Sequence, residues 1–414
     1  MVEPTAILGS GDASGPLAGL RVVDCSTVLA GPYCTMLLGD LGAEVIKIEP
    51  PDGDATRGWG PPWVGEGADR TAAYYLAINR NKRAIRLDLK TPDGVTILRR
   101  LLAGGDVVVE NYRVGGFARL GFDDAELERI NPRLIHLAIS GFGTAGASAA
   151  LPGYDFIIQA ASGLMSITGQ PDADGGEPTK VGVAISDIVT GMLGAVAILA
   201  ALHGRGRTGG LGQRVDVSLL GATMAALVNQ AQNAFVSGQA PSRLGNAHPN
   251  IVPYETFATA DGVIAVAVGS ERQWERFCEG LELPALATDT RFATNGDRVE
   301  RRGELRPILA SRFMDRSSAS WLAALDAAEI PCAPINDVVG AFGSAEAAAL
   351  GMTVEMEHPA WGSIRQVGLP FALSATPASI RLAPPTIGQD TDAILSELGY
   401  DATEIARLRA ARVV

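Results

Sequence analysis

One carboxylate in this chain stands where a carboxylate can do covalent chemistry. In Ser186-Asp187-Ile188-Val189-Thr190-Gly191 the aspartate precedes a long apolar run, 188–202, with the composition of a buried helix. Two readings share that position. Asp187 can be an N-cap whose side chain accepts a hydrogen bond from a free backbone N–H. It can equally be a nucleophile. The helix dipole and the free N–H groups favour the anion, and an ionised carboxylate can attack an activated acyl carbon. Gly182 and Gly191 would let a bulky acyl substrate approach the backbone.

The second cluster is the basic run Asn79-Arg80-Asn81-Lys82-Arg83. As a charge run it reads as a solvated turn ahead of a strand. As a functional feature it reads as anion recognition, because Arg and Lys offer charge-assisted bonds to phosphate, and Lys90, Arg113 and Arg119 could join it near neighbouring strand ends. Other chemistries find less support. The four histidines, His136, His203, His248 and His358, lie far apart and none pairs with Cys or Asp at metal-ligand spacing. Neither a GxGxxG nor a Walker sequence follows a strand, and no serine sits in a GxSxG elbow.

The elements that must position these residues alternate along the chain. A Gly/Ser/Ala/Pro-rich tail covers 1–16, including Gly9-Ser10-Gly11. Short apolar runs at 20–24, 45–48, 83–87, 107–109 and 134–139 read as strands, with helices opening at Ala30-Gly31-Pro32 and over 91–102. Strands alternating with helices predict an α/β fold with a doubly wound parallel sheet. In such sheets ligands bind beyond the carboxyl ends of the strands, here the loops 25–31, 110–113 and 140–143. The large domain is expected over 17–225, after which a basic glycine-rich turn at 204–214 and a linker at 226–250 mark a composition shift. A smaller α+β domain is expected over 251–350, with a strand at 262–268. A return linker and a terminal helix that packs back on the large domain are expected over 351–414, with a strand at 364–369.

Bulk composition narrows the partners. The net charge of −12 disfavours general binding to nucleic acid or anionic membranes. Cys25, Cys34, Cys278 and Cys332 form no CxxC pair and read as free thiols of a reducing compartment. The start Met1-Val2-Glu3-Pro4 lacks a signal peptide's basic and apolar regions, and 188–202 is too short and glycine-broken for a membrane span. A cytoplasmic protein without membrane or metal is the expectation.

With those residues in place, the chain resembles the class III coenzyme A transferases (CaiB/BaiF type), a family that also holds the α-methylacyl-CoA racemases. The resemblance runs from Leu17 to Val414. It is carried by Leu29-Ala30-Gly31-Pro32, the segment from Leu41 to Glu49, Asn79 to Arg83, Val109-Glu110-Asn111-Tyr112, Tyr154 to Gly169 and Ser186 to Gly191. It implies a Rossmann-like large domain, a smaller domain and an intertwined homodimer. It makes Asp187 the catalytic aspartate. It assigns coenzyme A, as substrate, to Leu29, Ala30, Leu87, Asp88, Leu89, Lys90, Asn111, Tyr112, Arg113, Arg119, Ser140, Gly141, Phe142 and Gly143.

Departures narrow the activity further. Pro50 and Leu29 replace an arginine and a glutamine of the formyl-CoA transferases, whose mobile glycine run is absent at 243–248. Tyr154 occupies the place of the racemases' histidine and Ala258 that of their glutamate. A phenol, with an ordinary pKa near 10, is a poor base at neutral pH, which argues against racemisation, the alternative activity. The segments 248–254, 334–336 and 356–359 are similar to transferases that act on dicarboxylic acids, with succinyl-CoA as donor. Arg243, His248 and Tyr154 are the expected substrate contacts.

Overall fold

The computed structural model describes residues 15–67 and 70–414; most of the expected tail at 1–16 lies outside them. Two compact units divide the chain, 1–164 with 181–232 and 345–414, and 165–180 with 233–344. Residues 165–180, read as part of the large domain, group with the second unit, and 345–414 groups with the first.

The first unit is built on β1 (Arg21–Asp24), α1 (Ala30–Asp40), β2 (Glu44–Glu49), β3 (Lys82–Arg86), α2 (Pro92–Ala103), β4 (Val107–Glu110), β5 (Ile135–Ser140), α3 (Asp155–Ala161), α4 (Ile185–Arg205) and β6 (Arg214–Ser218). All six strands are parallel, in the order β3-β2-β1-β4-β5-β6. Side-chain alternation splits each apolar strand between two cores. Val23, Ile46, Ile85 and Val108 face α2, whose Ile97, Leu98, Leu101 and Leu102 are buried with them. Val22, Val45, Val107, Ile135 and Leu137 face the other way, with Cys34 and Leu38 of α1 and Ile198 of α4. Helix α2 starts where its sequence requires: Thr91 caps it by accepting the Gly94 N–H, and Pro92 fills the first turn.

The second unit holds an antiparallel sheet of β7 (Tyr254–Ala258), β8 (Val263–Ala267) and β9 (Cys332–Pro334), over a core that includes Trp274, Phe277, Phe313 and Trp321. The chain then returns to the first unit. There β10 (Thr353–His358) and β11 (Gly362–Val367) form a hairpin. Two helices, α5 (Thr391–Glu397) and α6 (Ala402–Ala410), replace the single terminal helix expected and bury Ile394, Leu395, Ile405 and Leu408 against the α2 face.

Helix α4 is longer than its apolar run suggested. It has 21 residues and is long and apolar enough, by length and composition, to cross a membrane. One side of it is packed into the sheet core, and it carries Asp187, His203 and Arg205. The other side leaves Met192, Leu193 and Val196 exposed.

The basic run is neither a solvated turn nor an anion patch. Lys82 is fully buried, and its ammonium donates to Asp24 (3.0 Å), the Pro32 carbonyl (2.8 Å) and Asn79 (3.0 Å). Arg80 pairs with Asp40, and Arg83 with Glu44 and Glu397. Lys47 pairs with Asp54 beside them, and Glu49 with Arg57. Burial alone would push the Asp24 carboxyl up. The charges of Lys82 and Lys47 and the hydroxyls of Ser26 and Thr35 outweigh it and hold the group at about 2. Burial pulls Lys82 down to about 8 in spite of Asp24. This brace ties the end of β1 to the start of α1, the two elements that lead into the cleft described next.

Removing one partner of a buried pair strands the other charge, at a cost of about 3–5 kcal/mol. Lys82→Met is expected to lose that much in urea denaturation near pH 7. Because Asp24 titrates below the ordinary 3.8, its share of wild-type stability is present above about pH 4 and lost as pH falls through about 2. That acid limb should shrink in the variant. A variant as stable as wild type at neutral pH would contradict the brace.

Candidate active site

Strand order reverses between β1 and β4, and a cleft opens beyond the carboxyl ends of these strands and β5, the place where doubly wound sheets bind ligands. It encloses about 170 Å³ and is lined from three loops: Thr27, Val28 and Ala30 after β1, Asn111 to Val114 after β4, and Ser140 and Gly141 after β5. Tyr154, Asp187 and Leu219 are among its other lining residues. A larger cavity, about 750 Å³, lies at the opposite ends of the strands and contains none of these residues. Several of its charges are already paired, Arg21 with Glu44 and Arg83 with Glu44 among them.

Asp187 is not the helix cap. Ala184 is, without a side-chain bond, and Asp187 sits in the first turn of α4. The α1 and α4 backbones touch here because Gly191 has no side chain. A methyl carbon added to it would lie 2.6 Å from the Ala30 carbonyl oxygen. The glycine of the motif therefore serves helix packing rather than substrate approach. The contact brings the Ala30 N–H, first in α1, onto the Asp187 carboxyl.

The charge state differs from the expectation too. Burial, and then the neighbouring Asp155 carboxylate, push Asp187 up to about 7, against the Ala30 N–H that favours the anion. Asp155 is held in place on both sides. It accepts the Ser186 N–H (2.9 Å) and the amide of the fully buried Gln159 (2.7 Å), whose own oxygen accepts the Val181 N–H (2.8 Å). Tyr74 stands near both carboxylates. Burial, then Asp187 and Asp155, raise its phenol to about 12, so it stays neutral. Sequence reasoning missed Tyr74 and the role of Asp155. Asp155 follows Tyr154 in the motif, but its bond to Ser186 spans 31 residues.

Of the expected ligand residues, Ala30, Asn111, Tyr112, Arg113, Ser140, Gly141, Tyr154 and Asp187 line the cleft together. Arg113 is exposed and is the only cation among the described lining residues. Gly141 and Gly153 meet so closely that a methyl carbon on Gly141 would lie 2.5 Å from the Gly153 Cα, which brings the Tyr154 segment to the β5 loop. Others stand outside the lining. Leu29 is buried as the α1 cap residue, and Leu87 is core. Asp88 accepts the Lys90 N–H (2.9 Å), Leu89 packs on the α2-side core, and Lys90 and Arg119 are exposed. Phe142 packs on the α4-side core, and Gly143 donates to the Ser140 hydroxyl (3.1 Å).

Arg243 and His248 belong to the second unit. Arg243 pairs with Asp172 and donates to the Gln170 carbonyl (3.2 Å). His248 accepts the Asn250 N–H (3.1 Å) and lies 5.2 Å from the Tyr254 ring; burial and then Arg302 hold its pKa below the usual range. Among the described residues no group of His, Cys, Asp and Glu could hold a metal ion.

The geometry can be set beside known proteins. A sequence model of CoA-transferase family III matches residues 17–391. A succinate–glutarate CoA-transferase from Agrobacterium fabrum (strain C58) is 44% identical over 386 residues, 92% of this chain and 96% of the relative. A human succinyl-CoA:glutarate CoA-transferase is 40% identical over 401 residues, 96% of this chain and 90% of the relative. The crystal structure of a CaiB/BaiF family protein from Brucella suis, 41% identical, matches with a TM-score of 0.82 over 93% of this chain and 100% of its own.

The raised Asp187 pKa has a consequence for stability. A carboxyl that titrates at about 7 when folded and near 3.8 when unfolded contributes stability that is complete below about pH 4 and is lost as pH rises to about 7. Asp187→Asn should therefore be more stable than wild type at pH 8, by up to a few kcal/mol. The gap should close toward pH 4. A gap that is absent at pH 8, or that widens in acid, would contradict the assignment.

Proposed function

The chain belongs to CoA-transferase family III, and from that membership we propose that it moves coenzyme A from succinyl-CoA to a short dicarboxylic acid, glutarate first, through the Asp187 carboxylate. The observation that carries the reading is the placement of Asp187: in the strand-end cleft, half-buried, and facing the first N–H of α1. The choice of acids rests on the relatives' names and on coverage of nearly their whole length.

The steps conserve the activated acyl bond. An Asp187 oxygen attacks the thioester carbon of succinyl-CoA, and the C–S bond breaks. An aspartyl–succinyl anhydride and the coenzyme A thiolate result. The thiolate attacks the aspartyl carbonyl carbon, giving an aspartyl-CoA thioester and free succinate. The acceptor carboxylate then attacks that thioester, and the released thiolate takes the acceptor's acyl group, restoring the Asp187 carboxylate. No ATP is consumed. A carboxylate with raised proton affinity is the better nucleophile for the first attack, and pKa shifts of this kind gather at working sites. The Ala30 N–H stabilises the oxygen charge that develops at Asp187 when the thiolate attacks its carbonyl, a contribution of roughly 3–4 kcal/mol for a well-placed donor. Arg113 supplies positive charge for the anionic coenzyme.

The exposed face of α4 supports assembly with a second copy. Met192, Leu193 and Val196, with Phe156 and Ile157 of α3, are large apolar side chains in solvent. Burial of such a patch against a second copy supports the intertwined homodimer. The free thiols support a cytoplasmic setting without disulfides.

Succinyl-CoA incubated with glutarate and a panel of other acids should give new acyl-CoA species by mass spectrometry, glutaryl-CoA foremost. Transfer to none of the dicarboxylic acids would sink the substrate assignment. Hydroxylamine should trap an adduct on wild type. Asp187→Asn should lose that adduct and at least ~10³-fold in turnover, as nucleophile removal does elsewhere. An adduct that persists in the folded variant would refute the nucleophile.

A further inference from the structure

The turn that leads from β1 into α1 carries a conformational cost at the site itself. Val28 lines the cleft and has φ of 69°. For a β-branched residue the left-handed region is a steric outlier that persists only where the surroundings impose it. Those surroundings can be named. Cys25 N–H donates to the Val109 carbonyl (2.8 Å), which fixes the residue after β1 to β4. The buried Lys47 ammonium holds the Ser26 carbonyl (3.1 Å). Asn111, after β4, then takes both backbone groups of Thr27: its oxygen accepts the Thr27 N–H (2.9 Å) and its amide donates to the Thr27 carbonyl (2.7 Å). Two residues beyond Val28, the Ala30 N–H meets Asp187.

We propose that Asn111 is a positioning residue whose carboxamide, by gripping both backbone groups of Thr27, keeps Val28 left-handed and so turns the first N–H of α1 onto Asp187. The inference rests on the transferase reading for its kinetic consequence. It differs from the ligand-contact role that the family resemblance gives Asn111, since both polar atoms of this side chain are engaged by Thr27. A contact to the coenzyme acts on binding. A grip on the turn acts on the step in which charge develops at Asp187.

A double-mutant cycle with Val28→Gly separates the two, because glycine adopts the left-handed conformation at little cost. Asn111→Ala should lower kcat about 100-fold, the scale of a small misplacement at the reacting centre, with KM for succinyl-CoA nearly unchanged. Val28→Gly in the Asn111→Ala background should recover about tenfold of that loss. A raised KM with kcat preserved, or no recovery, would overturn the grip. The cycle can also be read by urea denaturation without any activity. Val28→Gly should stabilise wild type more than it stabilises Asn111→Ala, whose turn has already relaxed; equal effects in the two backgrounds would overturn the proposal. Should Asn111→Ala fail to fold, Asn111→Asp keeps the acceptor for the Thr27 N–H and removes the donor. It should show a smaller kcat loss that Val28→Gly again reduces, and an unrescued loss would count against the grip. Wild type that transfers coenzyme A to no acid would sink the transferase reading instead, while the denaturation cycle still decides the grip.

Discussion

The site depends on one backbone contact, the approach of the start of α1 to the first turn of α4. Gly191 permits it, because any side chain there would strike the Ala30 carbonyl. It sets the Ala30 N–H against the Asp187 carboxyl. Two helix N-termini thus converge on one carboxylate, and their dipoles favour negative charge at that point. Burial and Asp155 oppose them, and the balance leaves Asp187 near neutrality of pH rather than fully ionised. A group poised this way can carry a proton in the resting site and attack as a carboxylate.

Much of the surrounding structure serves that contact. The pair Asp24–Lys82 fixes the end of β1 and, through the Pro32 carbonyl, the start of α1. The Asp155–Gln159 network fixes the segment 181–186 that enters α4. Both networks spend buried polar groups to set positions, and buried ion pairs add little net stability compared with apolar packing. Their value lies in fixing geometry around a carboxylate that is itself costly to ionise there. The exposed apolar side of α4 is the proposed dimer contact, so it and the proposed nucleophile share one element.

How much of this was legible in the sequence varied with the range of the interactions. Strands β1, β2, β4 and β5 stood out because each is a run of buried apolar residues between breakers. The edge strand β6 did not: its sequence, Arg-Val-Asp-Val-Ser, alternates charge with valine, and its first residue, Arg214, closes an apparent turn. Strand β10 was hidden by its charged outer face. Asp187 stood out by its place before an apolar run, but its raised proton affinity did not, because the groups that set it arrive by tertiary contact. The basic run misled for a like reason. Lys82 is buried only because Asp24 waits 58 residues away. Asn111 lines the cleft, and its partners, the two backbone groups of Thr27, leave no trace in side-chain chemistry.

The central claim is that Asp187 becomes covalently acylated and exchanges an oxygen with each acid it serves. Oxygen isotope transfer tests this directly. Wild type is turned over with succinyl-CoA and glutarate labelled with oxygen-18 in its carboxylates, then digested, and the peptide containing Asp187 is weighed. By the steps above, the acceptor oxygen that bridges the anhydride stays on the aspartate when coenzyme A takes the acyl group. The peptide should therefore gain oxygen-18 at Asp187 within the first few turnovers, up to both carboxylate oxygens. Glutaryl-CoA formed with no label in that peptide would contradict the account.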